Sequence, residues 1–133
     1  MEGDEVLLRG ALRSEILIMD LPEAIGFCLS FPDVEEAVPF GPDVLVYKVG
    51  GKLFALTQPD EFPSKMNLKC DPKRAISLRE DYEAIVPGYH MNKRHWNTVR
   101  LDGISGDLLR DLIRHSYDLV VAGLPKGRKP SIP

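Results

Sequence analysis

Two runs rich in β-forming residues, 44–49 and 52–57, flank the pair Gly50-Gly51, and this feature constrains the fold more than any other. Glycine adopts the positive φ angles of a tight hairpin turn without steric cost. The sequence therefore predicts a two-stranded antiparallel hairpin. After a loop holding Pro59 and Pro63, Lys65, Asn67 and Lys69 alternate with Met66, Leu68 and Cys70. That is the period-two pattern of a third strand with one wet and one buried face.

Helices are expected around these strands. Asp20 can accept from the amides of a first turn, Pro22 is tolerated there, and Leu21, Ile25, Cys28 and Leu29 share a face, so a helix should run from about Leu21 to Ser30. Residues 31–43 contain three prolines and a glycine and read as a connecting loop pinned by the Phe40 ring. Asp71-Pro72 opens a short helix with Ala75, Ile76 and Leu78 on its apolar side. Residues 84–86 and 96–101 have the character of a second hairpin.

The strongest helix spans 105–122, capped by Ser105. Its buried stripe holds Leu108, Leu109, Leu112, Ile113, Ser116, Leu119 and Val120, and Gly123 stands where a left-handed terminator belongs. Residues 1–19 have Leu8, Leu12, Ile16 and Met19 at helical spacing, weakened by Gly10, and read as an N-terminal helical extension. Residues 126–133 form a basic, proline-rich tail, expected to be extended and mobile at its end. The chain thus divides into an extension (1–19), one domain (20–125) and a tail. The fold class is α+β, two-layered, in the order α-β3-α-β2-α, with an antiparallel sheet covered by helices on one face.

With 133 residues the chain fits one compact domain. Its 17 basic and 20 acidic residues exclude a uniformly basic nucleic-acid binder but leave room for a local basic face. The charge is in fact polarised. Residues 1–43 hold 2 basic and 10 acidic side chains, whereas residues 62–100 hold 8 basic and 4 acidic ones. Lys65 and Lys69 point the same way on the third strand, and Lys73 and Arg74 follow on the next helix. Such a face attracts phosphates and weakens in salt. Solvated faces carry lysine and arginine in any case, so charge alone does not decide.

The densest constellation is Tyr89-His90-Met91-Asn92-Lys93-Arg94-His95-Trp96-Asn97-Thr98. Aromatic rings that can stack on bases interleave with cations that can meet phosphates and amides that can donate and accept. Trp96, the single tryptophan, is expected in the core. Lys93 and Arg94 are expected at the surface, since burying them unpaired would be costly.

This segment, together with Phe31-Pro32-Asp33-Val34-Glu35-Glu36, Pro39-Phe40-Gly41-Pro42-Asp43-Val44, Lys48-Val49-Gly50-Gly51-Lys52-Leu53-Phe54-Ala55 and Leu124-Pro125-Lys126, resembles the MmcQ/YjbR family of small bacterial proteins. The match runs from about Leu21 to Arg128, and Asn92-Lys93-x-His95-Trp96 is its most specific part. The resemblance implies a two-layer α+β fold with frataxin-like or secretion-chaperone-like topology. It also implies DNA binding through a double-wing arrangement of hairpins.

Other functions have less behind them. His90, His95 and His115 are the only histidines, and none stands at a metal-ligand spacing or beside a nucleophile motif, phosphate loop or dinucleotide fingerprint. Catalytic residues, metal and cofactor are therefore not expected. Cys28 and Cys70 lie far apart and read as small core hydrophobes. An acidic group, Asp33, Glu35 and Glu36 with Glu23 nearby, could meet a basic protein partner, which keeps a protein-interaction or regulatory module as the alternative, and a homodimer through an open sheet face is compatible with it. No secretory leader or run of about 18 to 20 apolar residues is read, so a cytoplasmic location away from membranes is expected. The leading expectation is non-enzymatic DNA binding dominated by phosphate contacts from Lys65, Lys69, Lys73, Lys93 and Arg94. Asn92, His95 and the tail would support it.

Overall fold

A computed structural model describes residues 17–130. The expected helix over residues 1–19 falls almost wholly outside that range. Leu17 to Asp20 carry no regular secondary structure, and the Leu17 carbonyl accepts from the Gly106 amide at 2.8 Å.

Helix α1 (Leu21–Leu29) begins at a full capping box, in which Asp20 accepts from the Glu23 amide and Glu23 reaches back to the Asp20 amide. Leu21, Ala24 and Cys28 form its buried face, whereas Leu29 is exposed. The loop expected over 31–43 contains a strand, β1 (Val34–Ala37), paired antiparallel with β2 (Leu45–Val49). Four residues carrying Glu35 and Glu36 on an edge give too little alternation to read from sequence. Phe40 does not pin this loop, because its ring is exposed. Phe31 does, stacked 4.6 Å from Tyr117, whose hydroxyl donates to the Pro32 carbonyl at 2.7 Å.

β2 turns through Gly50 and Gly51, both at positive φ, into β3 (Lys52–Thr57), as the sequence predicts. β4 (Lys65–Lys69) follows, then α2 (Pro72–Asp81), β5 (Ile85–Pro87), β6 (Trp96–Arg100) and α3 (Gly106–Ala122). Asp71 caps α2 by accepting from the Lys73 and Arg74 amides, and Ser105 caps α3. Ile76 is exposed rather than on the apolar side of α2. α3 ends on Gly123 at φ −86°, so no left-handed residue is used there.

The six strands form one antiparallel sheet in the order β1-β2-β3-β4-β6-β5. All three helices cover one face around a core that includes Ala24, Phe54, Met66, Leu78, Leu109 and Ile113. Cys28 and Cys70 are buried in that core, where loss of solvation pushes their thiols up to about 12 and about 11. Tyr117 belongs to the buried stripe of α3, which the sequence reading left out, while Leu108 and Leu119 are only half-buried.

The described part of the tail, up to Pro130, is not extended, and its last three residues lie outside the described range. Residues 126–128 make a 3-10 turn, and Leu124 and the Arg128 carbonyl sit where a side chain at Gly50 would be, 2.5 and 3.0 Å from a Cβ placed there. Glycine at position 50 thus serves both the turn and this close approach.

Candidate nucleic-acid interface

Register fixes which residues share the open face of the sheet. Lys65 lies opposite Arg100, Asn67 opposite Thr98, and Lys69 opposite Trp96. Cross-strand partners project from the same face, so this row runs from one end of the sheet to the other. Trp96 is on this face and only half-buried, not in the core as expected. Asn67 is not wet as its alternation suggests. Its side chain and that of Thr98 are buried under the loop joining β5 and β6, where the Tyr89 amide donates to Thr98 Oγ1 at 2.9 Å and Asn67 Nδ2 donates to the Tyr89 carbonyl at 3.4 Å. Thr98 Oγ1 in turn donates to Asn67 Oδ1.

That loop, residues 88–95, is tied down at several points. The Gly88 amide donates to the Trp96 carbonyl at 2.8 Å. Asn92 Oδ1 accepts from the amides of Arg94, at 2.9 Å, and His95, at 3.3 Å, so its side chain shapes the turn instead of facing a ligand. His95 is half-buried, and its carbonyl accepts from the Cys70 amide at 2.8 Å, joining the loop to the end of β4.

Arg79 on α2, which sequence reasoning passed over, holds the same segment. Its Nε donates to Asn97 Oδ1 at 2.7 Å, and a terminal nitrogen donates to the carbonyls of Lys93 and Trp96. No carboxylate lies within 4.0 Å of its guanidinium among the described residues, so Arg79 orders the loop while adding positive charge beneath it. Its place in the last turn of α2, within a charged run, gave no signal, because its partners lie 14 to 18 residues away. Asn97 Nδ2 alone among the buried side-chain nitrogens and oxygens of the described residues has no hydrogen-bond partner.

The predicted cations separate into two places. Lys69 ends β4, Lys73 begins α2, and Lys93 and Arg94 precede β6, all at the end of the sheet where β4 finishes and β6 starts. Lys73, Lys93 and Arg94 are exposed, Lys69 is half-exposed, and none has a carboxylate within 4.0 Å among the described residues. Lys65 stands four residues away along β4, roughly 13 Å at strand rise, and pairs with Glu61 at 3.1 Å. It does not join the others. Arg74 pairs with Asp111 and is likewise taken up.

His115, on α3, meets this end of the sheet by accepting the Asp71 amide proton on Nε2 at 3.1 Å. Burial, helped by nearby Arg74 and opposed by Asp111, Asp71 and Asp118, lowers its pKa below the usual 6.5. A histidine whose native pKa is depressed binds its proton later than in the unfolded chain. Its contribution to stability is therefore complete above about pH 6.5 and falls as pH drops from there toward the lowered native value. Denaturant titrations at about pH 7.5, 6.5 and 5.5 should show wild type losing stability on acidification more steeply than His115→Gln. Parallel profiles would contradict this account.

Among the described residues no three His, Cys, Asp or Glu side chains gather as a metal site requires, and no helix is long and apolar enough to cross a membrane.

A six-stranded antiparallel sheet with helices on one face defines an α+β fold, on which solved structures superpose. The crystal structure of Deinococcus radiodurans protein DR2400, a DUF419 domain, superposes with a TM-score of 0.78 at 38% identity, over 84% of this chain and 86% of that one. A protein from Pseudomonas syringae superposes with a TM-score of 0.67 at 28% identity, over 77% and 99%. A model of the YjbR family matches residues 29–119. The chain belongs to the YjbR family. It is 48% identical over 99 residues to YbdF of Escherichia coli O157:H7, covering 74% of this chain and 81% of that protein. It is 32% identical over 112 residues to YjbR of Escherichia coli K12, covering 84% and 95%.

Proposed function

We propose that this protein binds nucleic acid without catalysis, meeting the phosphate backbone at the end of the sheet that carries Lys69, Lys73, Lys93 and Arg94. The observation that supports this reading is the presence there of four cations without carboxylate partners among the described residues, beside the half-exposed Trp96. Cations left unpaired on a rigid frame keep their charge available to a polyanion. The tight loop 88–95 lowers the ordering cost on binding, and Arg79 fixes its position. Trp96 offers a face on which a base can stack, which favours single strands or splayed ends.

Phosphate contacts carry no sequence information, so discrimination among sequences should be slight. Neutralising one phosphate with each of these cations gives a slope of log affinity against log salt of about −3.5, hence about a hundredfold loss between about 50 and 200 mM salt. Titration of fluorescent single- and double-stranded DNA at two salt concentrations tests this. A flat salt response, or no binding at the lower salt, would remove the reading.

A further inference from the structure

The open face also holds a cavity of about 730 Å³ at the end away from the basic cluster, within the size range of small-molecule sites. Its floor includes Leu56 and Val86, and its walls include Phe40 from the β1–β2 loop and Tyr89 from the β5–β6 loop. Both rings are exposed, at 66% and 67%, although each forms a wall of the cavity. The His90 ring lies 4.0 Å from that of Tyr89, and His90 holds a left-handed backbone at φ 59°, a conformation a non-glycine residue keeps only where its surroundings impose it.

Lys65 and Arg100 line the same cavity, whose acidic lining residues are Glu61 and Glu83, and the two cations stand directly opposite each other on β4 and β6. Like charges in directly opposed positions repel. Each is answered by one exposed carboxylate, Lys65 by Glu61 at 3.1 Å and Arg100 by Asp102 at 2.5 Å. Surface pairs of this kind are weak, and a single anion lying between the two cations would relieve their repulsion as neither carboxylate does alone. We infer that this cavity binds a small aromatic anion, its flat ring system between Phe40 and Tyr89 and its anionic group between Lys65 and Arg100. The site shares no residue with the phosphate-binding set proposed above, so either can fail without the other.

Titration of the full chain with naphthoate, followed by amide shifts in nitrogen-15 spectra, tests the inference, with naphthyl phosphate as a second anion and naphthalene methanol as the neutral isostere. Saturable binding with Kd below about 1 mM is expected for at least one anion, with shifts centred on Lys65 and Arg100, and at least tenfold weaker binding of the alcohol. Whichever anion binds more tightly identifies the head group. Lys65→Gln should weaken the anion about tenfold and leave the alcohol unaffected. Glu61→Gln, which removes the competing carboxylate, should tighten the anion severalfold, and Tyr89→Ala should weaken every ligand. Absence of saturation by both anions, equal affinity for anion and alcohol, or shifts centred on Trp96 would overturn the site.

Discussion

Replacing Lys93 and Arg94 together by glutamate is expected to lower DNA affinity about two hundredfold at about 50 mM salt but only about twentyfold at about 200 mM. Without these two cations the salt slope becomes shallower by about 1.8, and the deficit shrinks as added salt weakens the release of counterions. All sequences should suffer alike, because the substituted groups face phosphates. The fold should survive the change. Both side chains are exposed, and although the substitution gives up the 3.4 Å bond from Lys93 Nζ to the Gly88 carbonyl, Arg79 still grips the Lys93 main-chain carbonyl. Fluorescence anisotropy at the two salt concentrations, with a thermal melt as control, reads the outcome. Unchanged affinity, or a loss independent of salt, would exclude these residues as phosphate ligands.

The second large effect is on stability. Phe54 is an extra residue in β3, between Leu53 opposite Lys48 and Ala55 opposite Tyr47, and β3 pairs with β4 through only two registered positions. The buried Ser116 of α3 fills the interrupted ladder. Its hydroxyl donates to the Phe54 carbonyl at 2.5 Å and accepts from the Lys69 amide at 2.9 Å. Ser116→Ala would strand both backbone groups in the core, at about 1–3 kcal/mol each. A total of about 2–6 kcal/mol is a large share of the about 5–15 kcal/mol that holds a domain together, and the thermal midpoint should drop by about 10 °C or more. Removing the neighbouring exposed Asp118 by alanine should change stability by no more than about 0.5 kcal/mol. A Ser116→Ala protein as stable as wild type would show that the sheet closes this gap by itself. Because Ser116 holds the Lys69 amide, faster hydrogen exchange there should accompany the loss.

These two cases show where sequence reading succeeds and where it stops. The exposure of Lys93 and Arg94 was legible, since burial of unpaired charge is costly wherever it occurs. Their company was not. Lys65 and Lys69 share a strand face by simple alternation, yet Glu61 takes up the first and leaves the second among the free cations. Asn92 belongs to the segment that marks the family resemblance, but its amide is consumed by the turn. Ser116 was placed correctly on the buried stripe, although nothing in a helical repeat tells that its hydroxyl completes a sheet. The roles of Arg79, Asn67 and Thr98 were not legible for the same reason, as their partners lie many residues away.

By itself the sequence determined what depends on neighbours along the chain. The Gly50-Gly51 turn, the caps at Asp20, Asp71 and Ser105, the strand β4 and most of the stripe of α3 follow from local sterics and periodicity. Tertiary structure alone decided that 34–37 forms an edge strand, that Trp96 faces outward beside Lys69, that Phe40 and Tyr89 wall a cavity, and which cations keep their charge free. Those outcomes turn on which distant groups come within a few ångströms, and hydrogen bonds and ion pairs act only at that range.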